Sequence, residues 1–357
     1  MTAAADIRAC RELIRTGSRS FHAASLLLPP WVRNPALALY AFCRLADDAV
    51  DETAPDAGGS AKARAVLRLH DRLEAVYSGR PGNTPADRAF AALVEAHGLP
   101  RALPDALLEG LAWDADGRRH DSLSDVRAYS ARVASAVGAM MCVLMGVRDA
   151  DRLARACDLG VAMQLTNIAR DVGEDARAGR VYLPLDWLRE AGIDLERFLA
   201  DPQPIPPIRA LTDRLLREAD RLYLRADPGI AALPVDCRPG IFAARHIYAG
   251  IGGVVRRNGG DSVSRRAVTR TSAKLGWLGL AFGRGLVSLT VPRAATLHAR
   301  PLPEVAWLVA AAANEAPAPS RSDTLIEALG VLRARDLAAR AMAAQAGSPA
   351  GSGMRPT

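Results

Sequence analysis

Two stretches of the chain set carboxylates at helical spacing inside otherwise apolar sequence. Residues 40–52 read YAFCRLADDAVDE. On a helix at about 100° per residue, Tyr40, Arg44, Asp47 and Asp51 share one face, with Asp48 towards its flank. Residues 159–184 read LGVAMQLTNIARDVGEDARAGRVYLP. There Gln164, Asn167, Asp171 and Asp175 line a second face, and the long stem of Arg170 reaches it from beside. Acids four residues apart repel by about 0.2–0.5 kcal/mol on an exposed helix and by more when buried. Leu37, Phe42 and Leu45 around the first stripe, and Leu165, Ile168 and Val172 around the second, point to burial. A buried acid cluster needs a cation, and carboxylates at this spacing suit Mg²⁺ that shares its shell with a substrate phosphate.

One stripe alone reads equally well as a solvated acidic helix end. The amides of the second also suit a hydrogen-bond network between helices. Two stripes, each with an adjacent arginine, favour the metal reading. Facing each other across a bundle, they would grip diphosphates through metal ions and arginine forks. Loss of an allylic diphosphate leaves a carbocation, so the remaining walls must be apolar and dry. The residues alone stop at metal-dependent isoprenyl diphosphate chemistry. They do not choose between elongation, cyclisation and head-to-head coupling.

The elements that must position these faces all read as helices. Apolar residues recur at three and four, as in Val66, Leu69, Leu73 and Val76, and strand-like alternation is absent. The expected fold is an all-α, isoprenoid-synthase-type helical bundle around a central cavity. Turn clusters punctuate it at 54–60, 79–85, 98–104 and 201–207, the last read as pure loop. One domain is expected over 1–300, a helical extension over 301–345 and a disordered tail over 346–357. The apolar stretch Leu275 to Val291 is short, Gly-rich and interrupted by Arg284, so it reads as a core helix, with contact at a membrane surface the alternative.

Composition excludes several classes. Formal net charge is +7, which favours phosphate esters or anionic lipid as partners. Aromatics are only 5% and do not interleave with the arginines, so nucleic acid is not expected. The five cysteines are far apart, with no CxxC pair, which fits reduced thiols in the cytoplasm. The N-terminal residues lack the pattern of a secretory leader.

With these motifs in their order, the sequence resembles the squalene/phytoene synthase family, its bacterial phytoene-forming members most closely. The resemblance covers roughly residues 8 to 275 and rests on four blocks. They are TGSRSFHAAS from Thr16, the first stripe, YSARVASAVGAMM from Tyr129, and the second stripe through Arg180, Tyr182 and Pro184. The second stripe reads DVGED rather than the repeated DDxxD of head-to-tail elongases.

The resemblance implies the following roles. Asp47, Asp51, Asn167, Asp171 and Asp175 hold Mg²⁺, or Mn²⁺ in its place. Ser18, Ser20, Phe21, Tyr40, Arg44, Gln164, Asn167, Arg170 and Arg265 contact substrate, and Tyr129 and Tyr248 lie near the reacting carbons. Arg265 sits in a generally basic region that also reads as a solvated face. Two geranylgeranyl diphosphates would join head to head through prephytoene diphosphate to phytoene, the first committed step of carotenoid biosynthesis. NADPH is not expected. Small side chains at Ala24 and Ser25, one turn after Phe21, would leave room for a twenty-carbon chain, or simply pack a helix. The alternatives are a squalene or dehydrosqualene synthase using farnesyl diphosphate, and a non-catalytic assembly factor. A cytoplasmic protein touching the inner membrane face and neighbouring carotenoid enzymes completes the expectation.

Overall fold

A computed structural model describes residues 4–17, 24–51, 59–290 and 294–313, with side chains described there except at 15–17, 50, 51 and 59–61. Ser18, Ser20 and Phe21, the side chain of Asp51, and the expected extension and tail from residue 314 onward lie outside the described residues. Among the described residues there are helices and no strand.

The longest helix forms the axis. It is α8 (Ala150–Arg177), and the earlier helices are α1 (Ala4–Gly17), α2 (Pro30–Asp51), α3 (Gly59–Tyr77), α4 (Pro85–His97), α5 (Ala102–Ala115), α6 (Leu123–Ser130) and α7 (Ala136–Leu144). Asp149 caps α8, its carboxylate accepting from the Arg152 amide at 3.0 Å. Leu153, Val161, Leu165, Ile168 and Val172 on α8 are all buried, each worth about 1.5–3 kcal/mol of apolar burial. They meet α11 (Pro206–Ile230), α12 (Arg238–Arg257) and α7. The short α9 (Leu185–Glu190) and α10 (Leu195–Ala200) link α8 to α11.

The first stripe rides on α2, which packs against α1, α4 and α7. Phe42 of α2 stacks on Phe90 of α4 with centroids 4.0 Å apart. Because α2 and α8 both pack on α7, the stripes belong to one bundle.

A π-helical turn, Ala131–Ser135, separates α6 from α7 and lies against α8. Gly160 of α8 makes this approach feasible, because a Cβ there would sit 2.6 Å from the Ser135 Cα. The Ser135 hydroxyl then donates to the Cys157 carbonyl at 2.7 Å.

Two expectations shift, at the prolines after residue 205 and in the stretch after Leu275. The prolines at 206 and 207 do not prolong the preceding loop; they open α11, where a missing N–H has no helical partner to lose. At the start of the expected extension, α14 (Ala306–Ala313) buries Leu308, Val309 and Ala312 against α5, α7 and α8. The stretch after Leu275 is not core. It forms α13 (Thr271–Val287) on the surface, where only Ala281 and Gly285 are buried. Among the described residues no helix is long and apolar enough to cross a membrane.

Candidate active site

The second stripe sits on the inner half of α8. Asp171 accepts hydrogen bonds from its neighbour Arg170 (2.8 Å to Nε) and from Arg266 (2.8 and 3.2 Å). Burial works against its charge, but these donors outweigh burial and hold its pKa below the usual carboxylate range. Sequence reasoning named Arg265 for a diphosphate contact; it is exposed, and the adjacent Arg266 is the one that reaches Asp171 and Glu174. The signal was present but unresolvable, since consecutive arginines differ only in how their loop is docked.

That docking is visible. Gly173 donates its N–H to the Ser262 carbonyl at 3.0 Å, and Arg177 donates to the Val263 carbonyl at 2.6 Å. A Cβ at Gly173 would lie 2.5 Å from Val263 backbone atoms. Glycine two residues after Asp171 therefore lets the loop that carries Arg266 lie flat on α8.

Asp175 differs. Its nearest cation is Arg180, 4.0 Å away. Burial, partly countered by Arg180 and reinforced by Asp171, Glu174 and Asp114, pushes its pKa up to about 7. Beside it is a gap of about 10 Å³ between Ile168, Val172, Arg180 and Tyr182, room for roughly one water. Asn167 donates to the Gln164 side chain at 3.3 Å, but its own buried Oδ1 accepts no hydrogen bond.

Helix α8 stops at Arg177, and Gly179 takes a left-handed turn with φ of 72°. The Arg180 amide donates to the Asp175 carbonyl at 2.8 Å, which turns the chain back so that Tyr182 lies over the helix end.

Tyr182 leads to a group the sequence did not announce. Asp114, at the end of α5, accepts from Tyr182 at 2.7 Å and from Tyr129 at 2.8 Å, one phenol on each oxygen. The two rings lie 5.1 Å apart, with His120 against both. Burial pulls the His120 pKa down to about 4, so its ring is neutral at pH 7. Burial first, then Asp114, pushes the Tyr129 pKa far up, so the phenol stays a donor. Asp114 sits in a run of no motif, AWDADG, and only the fold brings it beside Asp175.

Tyr248 of α12 is half-buried next to Arg170, whose charge tempers the rise that burial imposes on the phenol. Thus Gln164, Asn167, Arg170, Asp171, Asp175 and Tyr248 are neighbours, and Tyr129 joins them through Asp114 and Tyr182. The first stripe is more open. Arg44 pairs with Asp48 at 2.5 Å and Asp47 at 3.5 Å, and these side chains are 40%, 29% and 47% exposed in that order. Tyr40 lies one turn before Arg44 and is half-buried.

Among the described residues no three acids, histidines or cysteines already converge as a metal site. The donor set still fits a hard divalent ion: a largely buried acid whose cation, Arg180, stands off at 4.0 Å, and a buried amide oxygen that, among the described residues, accepts no hydrogen bond. A shallow groove of about 510 Å³ between α1, Leu45 and the start of α4 has, among the described residues, Glu12 as its one charged wall and offers a diphosphate no cation.

Known proteins resemble this chain in sequence and in fold. The squalene/phytoene synthase family profile matches residues 14–273. A phytoene synthase of Cereibacter sphaeroides is 65% identical over 94% of this chain and 96% of its own length. One of Rhodobacter capsulatus is 60% identical over 94% and 98%. The solved structure of a dehydrosqualene synthase superposes with a TM-score of 0.70 at 30% identity, over 78% of this chain and 96% of that one. On a profile that takes in both stripes and relatives matched nearly end to end, the chain belongs to the squalene/phytoene synthase family.

Proposed function

We propose that this chain couples two molecules of geranylgeranyl diphosphate head to head, through prephytoene diphosphate, to phytoene. Its function is phytoene synthase, a prenyltransferase activity, as in relatives of that name at 60–65% identity. One observation carries the mechanism: α8 holds a largely buried acid pushed up to about 7 and an amide oxygen that, among the described residues, has no donor, beside an acid already clamped by two arginines.

Asp171, Asp175 and Asn167 from α8, with Asp47 and Asp51 from α2, would hold Mg²⁺ or Mn²⁺. When bound, the ion neutralises the diphosphate and eases its departure. Arg170, Arg44, Arg266 and Arg265 bind and orient the diphosphates through paired N–H groups. Gln164 fixes the Asn167 amide by its hydrogen bond. Ser18, Ser20, Phe21 and Tyr40 would add further contacts to the substrates. Tyr129 and Tyr248 present aromatic faces to the carbocation, each worth about 1–2 kcal/mol once desolvated. Leu165, Ile168 and Val172 lie among apolar neighbours that exclude water from the reacting carbons. No reductant enters, because the final cation loses a proton.

The protein works in the cytoplasm at the inner membrane face, beside the enzymes that consume phytoene, and does not bind nucleic acid. Its five free cysteines support a reducing compartment. The test is product analysis of pure protein with geranylgeranyl or farnesyl diphosphate, with and without Mg²⁺ and NADPH. Phytoene from the twenty-carbon substrate and Mg²⁺ alone is expected. Squalene from farnesyl diphosphate and NADPH as the main product would overturn the assignment.

A further inference from the structure

Helix α13 breaks the usual rule for surface helices. It packs on α12 through one side only, with Trp277 over Gly250 and Gly285 against Pro239. Arg284 pins its edge, 3.3 Å from Asp227 and over the Phe242 ring. The other side faces outward, and Leu275, Leu280, Phe282, Leu286 and Val287 are 50–63% exposed, as is Leu289 just beyond. At about 100° per residue the five helical ones fall within roughly 160° of arc, and no charged residue shares that arc. A contiguous apolar face of this kind marks an interaction surface rather than scattered exposure.

Charge says what it meets. Between Asp261 and Glu304 the chain has seven Arg or Lys and no Asp or Glu. Arg270 caps the start of α13 and Lys274 lies in its first turn, where the helix dipole disfavours cations. Neither has an ion-pair partner among the described residues, so helix stability does not explain them. An uncharged arc bordered by cations, on a helix lying along the surface, is the pattern of an interfacial helix.

We infer that the outward face of α13 is the surface by which the protein lies on an anionic lipid bilayer, with Leu275, Phe282 and Leu286 entering the acyl boundary and Arg270 and Lys274 meeting lipid phosphates. This rests on the membrane contact proposed above and gives it a location. The position suits the chemistry: α13 lies against α12, which carries Tyr248, and follows the loop that brings Arg266 to Asp171. A hydrocarbon product then leaves next to lipid rather than into water.

The test is sedimentation of the full chain with vesicles of phosphatidylcholine alone or with about one-third phosphatidylglycerol. Two double variants are compared with it, Phe282→Glu/Leu286→Glu and Arg270→Gln/Lys274→Gln. Unvaried protein should bind the anionic vesicles at least tenfold better than neutral ones, and raised salt should weaken it. The apolar variant should lose tenfold or more, and the cationic variant should lose most of the preference for anionic lipid. All should keep their melting temperature and turn over detergent-dispersed substrate within twofold. Equal vesicle binding by all three overturns the inference. So does a wild-type dimer that the apolar variant dissociates without either binding vesicles, which would make the face a contact between copies. Failure to make phytoene from dispersed substrate would instead sink the functional reading, whatever the vesicles show.

Discussion

The two acidic stripes look alike in sequence and differ in physics. On α2, Arg44 lies one turn from Asp48 and both are partly solvated, so the charges cost little to keep. On α8 the acids are largely buried, and what sets their charge comes partly from afar: Arg266 reaches Asp171 from a loop beside the adjacent Arg170, and Asp114 of α5, held by two tyrosines, adds a like charge near Asp175. The first stripe is a locally balanced surface. The second depends on the whole fold and keeps Asp175 in an environment that resists its charge. Buried strain of this sort is what a site must hold if a cation is to be welcomed there.

The largest effect should come from Asp171→Asn and Asp175→Asn. Phytoene formation at saturating Mg²⁺ is expected to fall on the order of 10³-fold in each. A change under about tenfold would remove the second stripe from the mechanism. Asp47→Asn should cost comparable turnover while leaving stability within about 0.5 kcal/mol, which would separate the stripes cleanly.

Next is Gly173→Ala. Its methyl would meet Val263 backbone, which cannot rotate aside. The loop must lift, taking Arg266 off Asp171. Expected are a loss of about 1–3 kcal/mol in urea unfolding and of about tenfold or more in turnover. Full turnover with only a stability loss would show that Arg266 plays no part in the reaction.

Asp114→Asn follows. An asparagine can accept from one phenol and not from both, so Tyr129 or Tyr182 loses its acceptor, at about 1–3 kcal/mol if it stays buried. Turnover should drop about tenfold with substrate affinity little changed, since the ring that shifts is near the reacting carbons. Unchanged turnover would confine the cluster to structure.

These cases show what sequence could reveal. Both stripes were legible because their spacing is local: four residues apart is one helical turn. The all-α fold was legible for the same reason. Asp114 and Arg266 were not, because each acts through a contact between distant segments. Helix α13 misled for a different reason. Its composition is that of a core helix, and composition does not say whether a neighbour covers the apolar face.

A smaller effect distinguishes the stripes by pH. The folded chain holds a proton on Asp175 up to about 7, whereas an unfolded one releases it near 3.8. Stability from this group is therefore fully present below about pH 4 and lost as pH rises to about 7. Without divalent ions, Asp175→Asn should unfold like the parent at pH 4 and be more stable above pH 7, by on the order of 4 kcal/mol. His120 and His246, both pulled down to about 4, lose stability in the opposite direction, but they are common to both proteins and cancel. An equal gap at both pH values would mean that Asp175 is not strained.

The finest comparison is a pair of double-mutant cycles read by unfolding. Arg44 with Asp48 is an i, i+4 pair in partial solvent and should couple by no more than about 0.3–0.5 kcal/mol. Arg266 with Asp171 joins segments far apart in sequence onto a largely buried acid and should couple by about 1 kcal/mol or more. High salt should erase the first coupling and leave most of the second. If both couplings were equally small and equally screened, the two stripes would be the same device twice, and the burial of α8 would have no part in readying its acids for a cation.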